Sequence, residues 1–319
     1  MSKSEFDLIK RYFTRPTPSA TLGVGDDAAL LNISLGMELA ISTDMLVSGT
    51  HFFPDADPFM LGHKTLAVNL SDLAAMGAKP RWATLALSLP AVDENWLQQF
   101  SEGFFSLADK FGVELIGGDT TRGPLNLSVT IMGEVPRDAA LRRDGAKVDD
   151  DIWVSGMLGE AALALAYMQG KIELPQEYLL QCKARLHQPQ PRVELGIALR
   201  GIAHSAIDVS DGLLADLGHI LERSQQGAEI YLEQILTRHV GLNPDLHDVL
   251  QHCVLAGGDD YELCFTAPVV NRSEIEKISS KLALPLTRIG KINAGTGCAV
   301  LAADGGQIKI EGTGYDHFA

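Results

Sequence analysis

The chain has few cysteines, no long apolar run and no surplus of basic residues. Its four cysteines, Cys182, Cys253, Cys264 and Cys298, are widely spaced, and no Cys-x-x-Cys occurs. That spacing argues against a zinc site and a disulfide framework and fits a reducing compartment. No stretch approaches the ~18 apolar residues of a membrane span. Residues Met1 to Lys10 lack the basic, apolar and cleavage regions of a secretory signal. A cytoplasmic protein with no membrane partner is the expectation. The net charge of −15 argues against nonspecific nucleic-acid binding, which needs a basic surface. Anionic substrates stay open, because bound cations invert the sign of a local site.

Several catalytic signatures are also missing. There is no Walker A sequence, since Gly170-Lys171 and Gly290-Lys291 are each followed by Ile. There is no H-E-x-x-H and no kinase H-R-D or D-F-G set. If the chain handles ATP, it does so with an unrelated phosphate site.

What is present is a series of short acidic motifs. In order they are Gly23-Val24-Gly25-Asp26-Asp27, Ser42-Thr43-Asp44, Asn69-Leu70-Ser71-Asp72, Gly117-Gly118-Asp119-Thr120, Asp208-Val209-Ser210-Asp211-Gly212 and Gly257-Gly258-Asp259-Asp260. Each alone has a plain reading. Gly-Asp-Asp is a good turn, Ser-Thr-Asp a good cap, and a lone helical Asp such as Asp72 is usually a solvated charge. The first motif formally matches G-x-G-x-x-A, but the segment before it is Thr14-Arg15-Pro16-Thr17-Pro18-Ser19. Residues Ala28 to Ile33 after it read as a strand, whereas the dinucleotide fingerprint requires a helix there. Asp208-Val209-Ser210-Asp211-Gly212 is not the G-x-S-x-G elbow, because Asp208 stands at the first Gly.

Taken together the motifs pose a charge problem. Two carboxylates ~4 Å apart repel by about 4 kcal/mol at an effective dielectric of 20. Five or six in one cleft would need cations to stay ionised. Oxygen donors with few His and no Cys favour Mg²⁺ over zinc or copper. Asp72 adds a local argument: Leu66 to Ala78 is nearly all apolar, so a charge there needs a partner. His51 in its loop and the pair Arg142-Arg143 each keep a structural and a ligand-binding reading.

Length and pattern give the architecture. A chain of 319 residues, 46% hydrophobic and 21% charged, is globular and long enough for two domains. Ser2 and Glu5 read as a capping box before a helix with Phe6, Ile9, Tyr12 and Phe13 on its apolar face. Leu39 to Ile41 reads as a strand running into Ser42-Thr43-Asp44. Asp57-Pro58 starts a helix towards Met76, and Asp93 caps another bearing Trp96, Phe100, Phe104, Leu107 and Phe111. Arg81 to Leu89, Val113 to Ile116 and Leu125 to Val135 read as strands. Pro136 to Asp151, polar and charged, reads as the interdomain connection, separating residues 1–137 from 148–319. The second half gives strands at Ile152 to Ser155, Glu262 to Thr266 and Thr287 to Ile292. Its helices are expected at Leu158 to Gln169, from about Arg192, from Leu213 and at Asn271 to Leu282. Strands and helices mix in both halves, so the class is α/β or α+β.

In this order the motifs resemble the thiamine-monophosphate kinases, within the superfamily named after aminoimidazole ribonucleotide synthetase. The most specific segments are Gly23 to Asp27, Asn69 to Ala78, Gly117 to Gly123 and Ser205 to Gly212, and the tail Gly314-Tyr315-Asp316-His317-Phe318 agrees. The resemblance implies ATP-dependent phosphorylation of thiamine monophosphate to thiamine diphosphate, assisted by several Mg²⁺ ions. It implies an N-terminal mixed sheet that binds ATP and Mg²⁺ and forms a dimer barrel, with a C-terminal α/β domain completing the site of a homodimer. By that pattern Asp27, Ser42, Thr43, Asp44, Asp72, Asp119, Asp208 and Asp211 are Mg²⁺ ligands, and Asp44, Asp72, Asp119 and Asp208 carry the catalysis. Gly118, Asp119, Arg143 and Ser210 contact ATP, with Phe105 near the nucleotide. His51, Glu262 and Tyr315 contact the thiamine substrate. The chain departs from the pattern at Asp259, where Glu is common, at Val148-Asp149-Asp150, where a Pro-Gly turn is usual, and at Phe105, which lacks a Tyr hydroxyl. Two rivals are a sibling ATP-dependent synthetase acting on another acceptor and a non-catalytic Ca²⁺ binder. No Cys precedes Cys182, which discounts a selenophosphate synthetase, and no EF-hand loop is present.

Overall fold

The computed structural model describes residues 4–236, 246–309, 312, 314 and 315. The chain divides into two compact units, Met1–Leu73 with Ala78–Asp138, and Ala74–Gly77 with Ala139–Ala319. Arg142 and Arg143 therefore cluster with the second unit.

The first unit opens with a short helix, α1 (Glu5–Leu8), which runs into a wide turn at Ile9–Phe13. Its capping box is Ser4 with Asp7, two residues further along than the expected Ser2 and Glu5; Ser2 lies outside the described residues. Leu8, Tyr12 and Phe13 are buried, whereas Phe6 is exposed, so the apolar face is narrower than the periodicity implied. The remaining elements are β1 (Met37–Val47), α2 (Pro58–Ala75), β2 (Lys79–Leu89), α3 (Glu94–Phe111), β3 (Glu114–Arg122) and β4 (Asn126–Pro136). The sheet order is β1-β4-β2-β3. All pairs are antiparallel except β2 with β3. Asp57 and Asp93 serve as the expected helix starters: Asp57 Oδ1 accepts from Met60 N–H (2.9 Å), and Asp93 Oδ1 from Asn95 (2.9 Å) and Trp96 (3.1 Å). Gly112 ends α3 in the left-handed conformation.

Helices α2 and α3 touch backbone to backbone. A side chain at Gly62 would run into the Phe100 carbonyl, and one at Gly103 into the Phe59 carbonyl. Only glycine allows that approach. Leu66, Leu70 and Leu73 on α2 and Leu97, Phe100 and Phe104 on α3 are all buried, each burial contributing about 1.5–3 kcal/mol.

The second unit holds β5 (Asp151–Ser155), α4 (Glu160–Met168), α5 (Gln176–His187), α6 (Val193–Ala198), β6 (Ser205–Val209), α7 (Leu213–Ser224), β7 (Gly227–Tyr231) and α8 (Leu232–Leu236). They are followed by α9 (His247–Ala256), β8 (Glu262–Ala267), α10 (Arg272–Leu282), β9 (Leu286–Asn293), β10 (Gly297–Leu301) and β11 (Gln307–Ile308). Seven strands form one sheet in the order β11-β10-β7-β9-β5-β8-β6. Strands β5, β6 and β8 are buried throughout, as expected for a sheet covered on both faces. Helix α7 faces the core with Leu213, Leu217, Ile220 and Leu221, at helical spacing. At the departure Val148-Asp149, Asp149 takes a left-handed backbone (φ 74°). That is the conformation for which a turn glycine is suited and which Asp tolerates. Lys291 Nζ anchors its carboxylate at 2.6 Å.

Three expectations are corrected. Ser42-Thr43-Asp44 does not follow its strand but lies in the middle of β1. Gly117-Gly118-Asp119 likewise lies inside β3, which runs on to Arg122. Residues Ala28 to Ile33 form no strand; Leu30 makes one isolated bridge to Leu22. Among the described residues no helix is long and apolar enough to cross a membrane.

Candidate active-site residues

In the first unit the pleat of β1 sorts its motif. Ser42 and Asp44 point to one side and Thr43 to the other. Ser42 donates its hydroxyl to Asp72 Oδ2 on α2, and Asp44 N–H donates to Asn69 Oδ1 (3.1 Å) one turn earlier. This hydroxyl is a partner of the kind that Asp72, in its apolar setting, was expected to need. Thr43 instead pairs through its hydroxyl with Thr130 on β4 (2.8 Å). The structure thus joins Ser42 to Asp72, sets the Asp44 backbone against Asn69 on the same helix, and turns Thr43 to the other side of β1. Asp27 is exposed in its glycine loop, where its N–H donates to Asp26 Oδ1 (2.9 Å).

Gly118 sits on the edge strand β3 with φ 150°. A Cβ there would collide with the Leu85 backbone on β2. The position therefore presents bare, exposed main chain, and Asp119 beside it is exposed. His51 closes the turn after β1: its Nδ1 accepts from Val47 N–H (3.0 Å), which leaves the proton of the neutral ring on Nε2. Phe105 is only 3% exposed. The Arg15 guanidinium lies 3.7 Å over its ring and also binds Asp109. A base stacking on that face would have to share it with Arg15.

In the second unit Asp208 is buried at the end of β6, and Ser210 and Asp211 occupy the turn into α7. Gly212 takes φ 130°, and a Cβ there would crowd the Ala256 backbone. Sequence reasoning missed the residue that organises this turn. Asp216 Oδ2 accepts three consecutive backbone N–H groups, from Ser210 (3.0 Å), Asp211 (3.1 Å) and Gly212 (3.1 Å). Burial, reinforced by the nearby Asp211 carboxylate, raises the Asp216 pKa to about 7, against the pull of those hydrogen bonds. A signal for it exists: Asp216 lies three residues after Leu213 and four before Ile220, on the buried stripe of α7.

The sixth motif packs on the fifth. Asp259 N–H donates to the Ser210 carbonyl and Tyr261 N–H to the Val209 carbonyl, both at 2.8 Å. Both donors are held in left-handed backbone, φ 68° and 50°, a strained state for tyrosine. Asp260 accepts Gly159 N–H with both oxygens (3.0 and 2.8 Å), and burial holds its pKa well above the usual carboxylate range. Glu262 is 2% exposed and bound by the Arg192 fork and by Ser155 Oγ (2.5 Å). Arg143 is exposed on a short helical turn, and its carbonyl accepts from Ser224 Oγ (2.9 Å). Tyr315 N–H donates to the Asp211 carbonyl (3.0 Å). Asp316, His317 and Phe318 lie outside the described residues.

Among the described residues no three His, Cys, Asp or Glu side chains gather as a metal cage. The donors are aspartates and hydroxyls without sulfur or nitrogen. That set suits Mg²⁺, which is usually held by one or two carboxylates with phosphate oxygens and water completing the shell.

Residues 25–135 match the family described as AIR synthase related protein, N-terminal domain, which sets the class of the first unit as AIR synthase-like. The chain is 48% identical over 331 aligned residues to the thiamine-monophosphate kinase of Escherichia coli, covering 100% of this chain and 99% of that one. The crystal structure of thiamine-monophosphate kinase from Stenotrophomonas maltophilia superposes with a TM-score of 0.85 at 50% identity, covering 97% of this chain and 99% of that one. AaThiL complexed with AMPPCP and TMP superposes with a TM-score of 0.75 at 28% identity, covering 89% of each. The chain belongs to the thiamine-monophosphate kinase family.

Proposed function

We propose that this chain transfers the γ-phosphoryl group of ATP to the phosphate of thiamine monophosphate, yielding ADP and thiamine diphosphate. The observation that carries this reading is its full-length likeness, at 48% and 50% identity, to thiamine-monophosphate kinases. The AaThiL complex, holding AMPPCP together with TMP, supports the pairing of nucleotide and acceptor.

The transfer is a single in-line displacement. An oxygen of the acceptor phosphate bonds to the γ-phosphorus as the bond to the β–γ bridging oxygen breaks, and ADP leaves. A phosphate nucleophile is already deprotonated, so no general base is needed. This accounts for why no Ser-His-Asp or Lys nucleophile stands out in the sequence. Asp27, Ser42, Thr43, Asp44, Asp72, Asp119, Asp208 and Asp211 would hold several Mg²⁺ ions, whose role is to neutralise the repulsion between the two anionic reactants. Of the β1 residues, Ser42 and Asp44 fit that role better than Thr43, which faces away from Asp72. The bare backbone of Gly118, the exposed Arg143, and Ser210 serve the triphosphate, with Phe105 beside the nucleotide. His51, Glu262 and Tyr315 serve the thiamine moiety. The free, mostly buried thiols suit the cytoplasm.

The test is incubation of the purified protein with ATP, Mg²⁺ and thiamine monophosphate, followed by chromatography. Thiamine diphosphate in equal amount to ADP is the expected result. Orthophosphate without that product would overturn the reading and favour a sibling synthetase.

The first unit also supports the homodimer. On β1 the outward face carries Leu39, Ile41 and Met45, and Ile41 is 59% exposed. β1 is an edge strand as well, and an apolar edge of this length needs cover. A second copy pairing there would close the sheets into a barrel. Light scattering is expected to give a dimer for the native chain and a monomer for Ile41→Lys. A native monomer at micromolar concentration would refute the pairing.

A further inference from the structure

We propose that Asp216 is a positioning residue that fixes the Ser210–Gly212 backbone in the shape through which Asp208, Ser210 and Asp211 meet the nucleotide and its cations. This rests on the proposed ATP- and Mg²⁺-dependent function of that turn.

The turn is held on both sides. From α7, one carboxylate oxygen of Asp216 takes the N–H groups of Ser210, Asp211 and Gly212. From the opposite side, the carbonyls of Val209 and Ser210 take the N–H groups of Tyr261 and Asp259, and the Asp211 carbonyl takes that of Tyr315. The Gly212 carbonyl accepts the Asp216 N–H in turn (2.9 Å). Main-chain groups from the Val209 carbonyl to the Gly212 carbonyl are thus committed to the shape of the turn, and the side chains are left to carry the chemistry. A Cβ at Gly258 would sit 2.5 Å from the Ser210 carbonyl, so the backing loop fits directly against it.

The helix itself does not require this arrangement. Its N-cap is Gly212, with no side-chain cap. A Ser or Asp at the N-cap would satisfy the N-terminal donors in the ordinary way. Asp216 instead reaches back past the helix start to donors outside it, and it is only 3% exposed. The burial of an acid is costly, and what it gains here is the geometry of a turn bearing three proposed site residues. Groups that orient ligands of a cation without touching it commonly shift affinity or rate by about 10- to 100-fold when removed.

The experiment compares native protein with Asp216→Ala and Asp216→Asn. Hydrogen exchange of the peptide spanning 209–216 reads the turn directly, without turnover. Kinetics then give kcat, the KM for thiamine monophosphate and the half-saturating Mg²⁺ concentration. For Asp216→Ala we expect exchange at 210–212 at least about tenfold faster. We also expect kcat about 10- to 100-fold lower with half-saturating Mg²⁺ raised in proportion, and a KM for thiamine monophosphate within about twofold of native. Asp216→Asn keeps one acceptor oxygen but not the stronger charge-assisted bonds, so it falls between the two. Native exchange and native Mg²⁺ dependence in a folded Asp216→Ala protein would overturn the proposal, as would a loss confined to the KM for thiamine monophosphate. Should Asp216→Ala fail to fold, the Asp216→Asn protein decides by the same readouts, native values overturning it. A native protein that makes no thiamine diphosphate defeats the proposed function instead, and the exchange data still report separately on the turn.

Discussion

Replacing Asp44 by asparagine is expected to lower turnover by about 100- to 1,000-fold while the protein stays folded. The magnitude is that of removing one preorganised electrostatic group from a site where charge is transferred. The fold is spared because β1 is held by its main chain. Asp44 pairs with Val129 in the ladder, its N–H donates to Asn69 Oδ1 (3.1 Å), and its carbonyl accepts from Ser128 Oγ (3.3 Å). None of these contacts uses the carboxylate that is changed. Asparagine keeps the shape and one oxygen but removes the charge, and the charge is what holds a hard cation beside a phosphate. The check is kcat for the purified variant beside a thermal unfolding curve, with Tm within about 2 °C of native. Full activity would remove Asp44 from the site. A large fall in Tm would show that the loss reflects folding.

The contrast within β1 shows where the sequence was readable. Helices α3 and α7 were legible because each has a regular apolar stripe, and α2 because Asp57-Pro58 starts a long, nearly all-apolar run. The Asp at 72 was legible too, since a charge among Leu70, Leu73 and Met76 demands a partner. The strands bearing chemistry were not fully legible. Asp and Gly are poor strand formers, so β1 and β3 seemed to end where their motifs begin. Pairing with β4 and β2 overrides that local preference, and the consequence is functional. A motif in a turn points its side chains in several directions, whereas one in a strand sorts them by alternation, separating Thr43 from Ser42 and Asp44. Helix α5 and strands β7 and β10 gave no distinct sequence signal, being short or weakly periodic. Asp216 escaped notice because an acid in the first turns of a helix is ordinarily read as favourable to the dipole. Its position on the buried stripe was the informative fact.

Removing Arg192 is expected to destabilise the second unit by about 3–5 kcal/mol, the range for stranding one partner of a buried ion pair. Arg192 grips both oxygens of Glu262, which lies at the start of β8 and also accepts from Ser155 Oγ. Gly156 packs directly against it, left-handed at φ 58°, where any Cβ would strike the Glu262 carboxylate. In Arg192→Met the carboxylate stays in a dry site with the serine as its remaining hydrogen-bond donor among these contacts. Urea unfolding reads the loss, which corresponds to a fall in Tm on the order of 10 °C. The double variant Arg192→Met with Glu262→Gln removes both charges and keeps an acceptor for Ser155, so most of the stability should return. Closing the cycle with Glu262→Gln alone gives the coupling between the two. The same proteins separate the two roles of Glu262. If its charge also meets the cationic ring of the thiamine moiety, the double variant regains stability but keeps a raised KM for thiamine monophosphate. If the pair serves the fold alone, stability and KM recover together. An Arg192→Met protein within about 1 kcal/mol of native would mean that the ion pair does not hold this part of the sheet.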